Sequence, residues 1–182
     1  MSDKIYCIKI MKKRILIANH GMSATKFAMS LKNDYHMIGI VTENDKTSNF
    51  QYISIVHETV SASNTVYNDI DEIISIAKKV KADAIAPGWG YLSEKWEFAK
   101  RVEEEGLKFM GPSFETMYAL GDKIKCLETS QDIGMPISEF ITVHNQHDVK
   151  VAIHKLGLPI MIKAADGGGG KAAPTVYDTD WG

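Results

Sequence analysis

The chain has 182 residues, 45% of them hydrophobic and 24% charged, with a net charge of −2. That balance fits an ordinary globular protein with one good core or two small ones, and it offers nothing to nucleic acid or to an acidic membrane surface. No apolar run is long enough to cross a bilayer, and Cys7 and Cys126 form neither a metal-ligand spacing nor a disulfide framework, so a reducing, cytoplasmic setting is expected.

Residues 1–13 are expected to be an extension. The first ten are broken by Asp3 and Lys9 and do not read as a secretory leader, and Met11 is a second candidate start. The run Arg14-Ile15-Leu16-Ile17-Ala18-Asn19 suits a buried parallel strand, His20-Gly21-Met22 a turn, and Ala24, Phe27, Ala28 and Leu31 the apolar face of a helix. A second strand over 37–41 ends in the polar run Thr42-Glu43-Asn44-Asp45, at the end of the sheet where open α/β folds bind ligands. A third strand is expected at 58–60, then an amphipathic helix over 69–80 capped by Asp69, with Glu72 three residues on. Strands at 82–86 and 107–110 flank the loop Pro87-Gly88-Trp89-Gly90-Tyr91-Leu92-Ser93-Glu94 and a helix containing Trp96, Phe98, Ala99 and Val102, for which Ser93 is the expected cap. The succession reads as an α/β fold with an open, mostly parallel sheet and helices on both faces.

The pattern then changes, and a domain boundary is placed between residues 120 and 121. A helix over 114–120 breaks at Gly121-Asp122-Lys123, and a second runs to Ile133, where Gly134 and Pro136 stop it. A strand is expected at 139–143, a helix at 149–156, a strand at 160–163 and a return strand at 175–177. Between the last two lies Asp166-Gly167-Gly168-Gly169-Gly170-Lys171. A glycine run flanked by Lys163 and Lys171 can bend over a ligand and present bare N–H groups, which together with lysine ammonium groups is what a phosphate chain requires. His144, His147 and His154 are read as residues of a solvated helix and its lead-in, with no metal site assigned.

Three stretches, in order, are similar to one family. They are Arg14-Ile15-Leu16-Ile17-Ala18-Asn19-His20-Gly21; the loop over 87–94 with Phe98-Ala99 and Met110-Gly111-Pro112; and Leu120-Gly121-Asp122-Lys123 with the segment 161–171. Together they resemble the biotin carboxylase module of biotin-dependent carboxylases, most of all the eukaryotic-type acetyl-CoA carboxylases of fatty acid biosynthesis. Pro87 and Leu92-Ser93-Glu94 lean instead toward the pyruvate carboxylase pattern. The resemblance implies a Rossmann-like pre-ATP-grasp domain with an open parallel sheet over 14–120 and a partial ATP-grasp domain, beginning with its small subdomain, over 121–182. It implies that Lys123, Lys163, Gly167, Gly168, Gly169, Gly170 and Lys171 contact ATP, and that the loop carrying Trp89, Gly90, Tyr91 and Glu94 faces the active site. It also implies ATP with Mg2+ as cofactor, biotin as substrate, and as partners a biotin carrier protein, the remaining carboxylase domains or a second copy of the chain.

The resemblance has departures. Lys171 is followed by Ala172-Ala173-Pro174, where the family has a glycine and an extended strand; Pro174 lacks an N–H and suits only an edge. The family's metal ligands and catalytic basic residues fall beyond Gly182. On this reading the chain is a truncated module, inactive alone, with no catalytic or metal residue of its own. The alternative is a non-catalytic module that binds a carboxylase subunit. Another ATP-grasp ligase, such as a carbamoyl phosphate synthetase, is opposed by the loop at 87–94.

Overall fold

A computed structural model describes residues 12–163 and the backbone of 175–176. The chain divides into two compact units, Met1–Met117 and Tyr118–Gly182.

The first unit is built on a five-stranded parallel sheet. In chain order it contains β1 (Arg14–Ile17), α1 (Gly21–Leu31), β2 (His36–Val41), α2 (Glu43–Thr47), α3 (Tyr52–Ile55), β3 (Glu58–Ser61), α4 (Ile70–Lys79), β4 (Ala84–Ala86), α5 (Trp96–Glu104) and β5 (Lys108–Phe109). The strand order is β3-β2-β1-β4-β5, with Ile15 opposite Met37 on one side and Ala84 on the other. The chain winds outward from β1 through β2 to β3, then crosses back to β4. The winding therefore reverses between β1 and β4, which is where sheets of this kind leave a crevice at the carboxyl ends of their strands.

Alternation of side chains along the strands divides the core in two. Leu16, Ile38, Ile40, Ile85 and Phe109 point to one face and pack on Ile73, Ile74 and Ala77 of α4 and on Phe98, Ala99 and Val102 of α5. Ile15, Ile17, Met37 and Val41 point to the other and pack on Ala24 and Ala28 of α1 and Tyr52 of α3. Gly39 lets the Tyr52 ring lie against the sheet, since a Cβ there would come within 3.1 Å of it. Asp69 caps α4 as expected by accepting from the Glu72 N–H at 2.9 Å. The Glu72 carboxylate does not reach back to the cap; it accepts from the Ser63 N–H and hydroxyl.

The second unit includes the end of α6 (Phe114–Gly121), then α7 (Lys123–Asp132), α8 (Gln146–Leu156), β6 (Ile160–Met161) and β7 (Thr175–Val176). β6 and β7 pair antiparallel, Ile160 opposite Val176 and Met161 opposite Thr175, so the segment with the four glycines joins two hydrogen-bonded strands, as expected. His147 and His154 lie in α8 and His144 just before it.

Two further expectations are corrected. Residues 139–143 form no strand, because none of the described strands pairs with them. Ser93 does not cap α5; it lies in a 3-10 turn over Tyr91–Glu94, and the cap position is Lys95. The polar run after β2 is the start of α2, in which Thr42 and Asp45 make a reciprocal capping box.

Candidate functional site

The turn after β1 and the loop after β4 meet at the reversal point. Asn19, only 2% exposed, ties them together. Its Nδ2 donates to the carbonyls of Pro87 at 2.8 Å and Trp89 at 2.9 Å, and its Oδ1 accepts from the His20 N–H at 2.9 Å. Gly88 makes this approach possible. Its φ is +70°, and a Cβ would lie 2.3 Å from Ser23 Oγ and 2.8 Å from Asn19 Nδ2. Gly21, with φ +57°, opens α1 directly beneath, as the expected tight turn requires.

Beside this tie lies a buried carboxylate. Asp45 is 1% exposed. Its Oδ2 accepts from the Thr42 N–H at 2.8 Å, the Thr42 hydroxyl at 2.9 Å and the Tyr67 hydroxyl at 2.7 Å. Its Oδ1 lies 2.7 Å from His20 Nδ1. Burial by itself would raise this carboxyl. The Thr42 N–H, then Tyr67, His20 and the Thr42 hydroxyl, outweigh it and hold the group below the usual carboxylate range. Burial drives the Tyr67 and Tyr52 phenols upward, so both stay protonated and donate. Tyr52 donates to the Ile40 carbonyl at 2.6 Å.

The outer side of this network is open. Tyr91, at the head of the 3-10 turn, has its hydroxyl 2.7 Å from His20 Nε2. Trp89 is 79% exposed and Met22 77%, while Gly90 (φ +70°) and the exposed Glu94 bracket the turn. The structure thus brings Trp89, Gly90, Tyr91 and Glu94 together on one loop at the carboxyl edge of the sheet. Reading the sequence missed Asp45, Tyr67 and Tyr52 as members of this network.

The expected phosphate ligands belong to the second unit. Lys123 is exposed and is the first residue of α7. The N-cap Asp122 accepts from the Ile124 N–H at 2.8 Å and the Lys125 N–H at 3.0 Å. Those N–H groups are therefore committed, and an anion would meet the Lys123 ammonium rather than the bare helix end. The same bonds, that from Lys125 first, hold the Asp122 carboxyl low. Lys163 is exposed two residues beyond β6. Gly167, Gly168, Gly169, Gly170 and Lys171 lie outside the described residues, as do Cys7 and the Ala172-Ala173-Pro174 departure. Among the described residues, no cluster of three or more His, Cys, Asp or Glu side chains could hold a metal ion, and no helix is long and apolar enough to cross a membrane.

The winding order defines an open, doubly wound α/β domain. Residues 11–117 match the family model of the biotin carboxylase N-terminal domain, and residues 122–180 match that of the carbamoyl-phosphate synthase L chain ATP-binding domain. The chain belongs to the biotin carboxylase family. It is 35% identical over 173 residues to pyruvate carboxylase of Staphylococcus aureus, covering 91% of this chain and 15% of that protein. It is 39% identical over 165 residues to a putative urea carboxylase of Emericella nidulans, covering 87% and 13%. An acetyl-CoA carboxylase of Arabidopsis thaliana matches at 29%, covering 96% and 10%. Among solved structures, a biotin carboxylase–ATP complex from Campylobacter jejuni matches with a TM-score of 0.85 at 31% identity, covering 92% of this chain and 39% of that one. The biotin carboxylase domain dimer of the Hydrogenobacter thermophilus 2-oxoglutarate carboxylase, in complex with MgADP, ADP and bicarbonate, matches at 0.83 and 28%, covering 93% and 38%. The chain thus spans about a seventh of the curated relatives and under two fifths of the solved chains.

Proposed function

We propose that this chain supplies the N-terminal domain and the first ATP-phosphate ligands of a biotin carboxylase, which uses ATP and bicarbonate to carboxylate biotin. The observation that carries this reading is the placement of Lys123 and Lys163. Both are solvent-exposed, one opening α7 and the other following the strand that leads to the four glycines. Ammonium groups so placed bind the phosphate chain and stabilise the charge that develops during phosphoryl transfer. Gly167, Gly168, Gly169 and Gly170 are assigned N–H contacts over the same phosphates, with Lys171 beside them. The loop bearing Trp89, Gly90, Tyr91 and Glu94 is assigned to the reaction centre. The described residues offer no acidic cluster for Mg2+, so no step is assigned to the metal.

Turnover is assigned to an assembly larger than these 182 residues, with a biotin carrier and a second copy as the partners this reading calls for. The similarity extends to pyruvate, urea and acetyl-CoA carboxylases, so the assignment is to the biotin carboxylation step and not to one carboxyl acceptor. The test is ADP formation by the protein isolated in its native assembly. The rate is expected to depend on bicarbonate and biotin, and to fall at least about tenfold in Lys163→Gln, a loss of about 1.4 kcal/mol of transition-state stabilisation. A rate indifferent to bicarbonate, or unchanged in Lys163→Gln, rejects the proposal.

A further inference from the structure

The network around His20 fixes more than a loop. Asp45 presents one carboxylate oxygen to His20 and the other to three donors. A carboxylate only accepts, so the proton between Asp45 Oδ1 and His20 Nδ1 belongs to the imidazole. In the neutral form of the imidazole, Nδ1 holds the one ring proton, Nε2 offers a lone pair, and the Tyr91 hydroxyl donates to it. The imidazole plane is set from its other sides: the Tyr67 ring stacks on it at 4.7 Å, and Phe50 meets it edge-on at 5.3 Å. Tyr91 itself has φ +51°, a left-handed conformation that a bulky side chain adopts only when its surroundings impose it. Tyr91 has a single hydroxyl proton, and that proton faces inward. What the hydroxyl then turns toward solvent, at the carboxyl edge of the sheet, is its lone pairs.

We propose that His20, as the neutral imidazole, is a positioning residue that fixes Tyr91 as an outward-facing hydrogen-bond acceptor, so that this carboxyl edge of the sheet takes an N–H or ammonium donor of a ligand rather than an anion. The chain of cause runs from Asp45 to the His20 tautomer, then to the direction of the Tyr91 O–H bond, then to the class of group received. It is independent of nucleotide binding, which the proposed function places on the lysines of the second unit.

Asp45→Asn inverts the relay with one atom. The three donors on Oδ2 require an oxygen there, which turns the new amide nitrogen toward His20 Nδ1. That nitrogen donates, Nδ1 must accept, and the imidazole proton moves to Nε2. Tyr91 then accepts from His20 and points its own proton outward.

The experiment is nitrogen-15 NMR of the histidines in the full chain, with methylammonium as a donor-only probe and acetate as an acceptor-only probe. Neither the tautomer nor the probes involve ATP, so failure here is separate from failure of the carboxylase reading. The expected results are an Nδ1–H tautomer for neutral His20 in the native chain, an Nε2–H tautomer in Asp45→Asn, and Tyr91 ring resonances that shift with methylammonium but not acetate, the preference reversing in the variant. A merely structural role for His20 would move neither tautomer nor probe preference. An Nε2–H tautomer or a doubly protonated His20 ring in the native chain under the conditions of the probe experiment, retention of Nδ1–H in a folded Asp45→Asn, or a stronger response of native Tyr91 to acetate overturns the proposal. If the variant does not fold, the native tautomer and probe pair decide alone.

Discussion

Gly88→Ala tests how tightly the β1 turn and the β4 loop are bound together. The new Cβ would sit 2.3 Å from Ser23 Oγ, 2.8 Å from Asn19 Nδ2 and 3.0 Å from Asn19 Cγ. Ser23 Oγ can rotate away. Asn19 cannot, because it is buried and holds the Pro87 and Trp89 carbonyls. Two costs add. An alanine held at φ +70° loses about 1–2 kcal/mol relative to its preferred conformations. Overpacking against Asn19 costs about 1–3 kcal/mol. The sum, about 2–5 kcal/mol, corresponds to a fall of about 1–2.5 M in the urea midpoint for a slope of about 2 kcal/mol/M. Urea unfolding followed by circular dichroism measures it. Repeating the measurement in a Ser23→Ala background removes the closest contact but neither the φ cost nor the Asn19 clash, so most of the loss should persist. A loss below about 0.5 kcal/mol, the range of an ordinary surface substitution, refutes the reasoning.

Asn19→Ala should destabilise by at least about 2 kcal/mol, since the Pro87 and Trp89 carbonyls lose their donor; equilibrium unfolding checks it, and a neutral result contradicts the tie described. Tyr67→Phe removes one of three donors to Asp45 Oδ2 and should cost about 1.5–3 kcal/mol by the same measurement. Asp45 has a folded pKa below its unfolded value, so its contribution is present above the unfolded value of about 3.9 and is lost as pH falls through the lower folded value. In acid titrations the native chain should therefore lose stability more steeply below about pH 4 than Asp45→Asn, which has no proton to take up; parallel curves would contradict the lowered carboxyl.

The sheet was readable in the sequence because short apolar runs between turn residues mark buried parallel strands, and the helical faces of α1, α4 and α5 carry clear periodicity. Residues 139–143 show the limit of that reasoning. Glu139-Phe140-Ile141-Thr142-Val143 has good strand composition, but a strand needs a neighbour to complete its hydrogen bonds, and none of the described strands provides one. Ser93 was a plausible cap by type, yet the positive φ values of Gly90 and Tyr91 turn the chain early and leave Ser93 in the 3-10 turn. Of the candidate site, the lysines and the loop at 87–94 stood out through motif and spacing. The Asp45 network did not, because Asn19, Asp45, Tyr67 and Tyr91 are spread over more than 70 residues and meet only when β1, β2 and β4 align. The one local signal was Thr42 three residues before Asp45, the spacing of a reciprocal cap.

The central claim, that this chain carries phosphate ligands for ATP, is tested most directly by an acyl-phosphate derivative of ATP, which acylates lysines beside the bound phosphate chain. The protein in its native assembly would be treated with the probe, digested and mapped by mass spectrometry. The account predicts labelling at Lys163, Lys123 or Lys171 that excess ATP suppresses. Labelling confined to lysines of the first unit, such as Lys46 and Lys78, or insensitive to ATP, would contradict it.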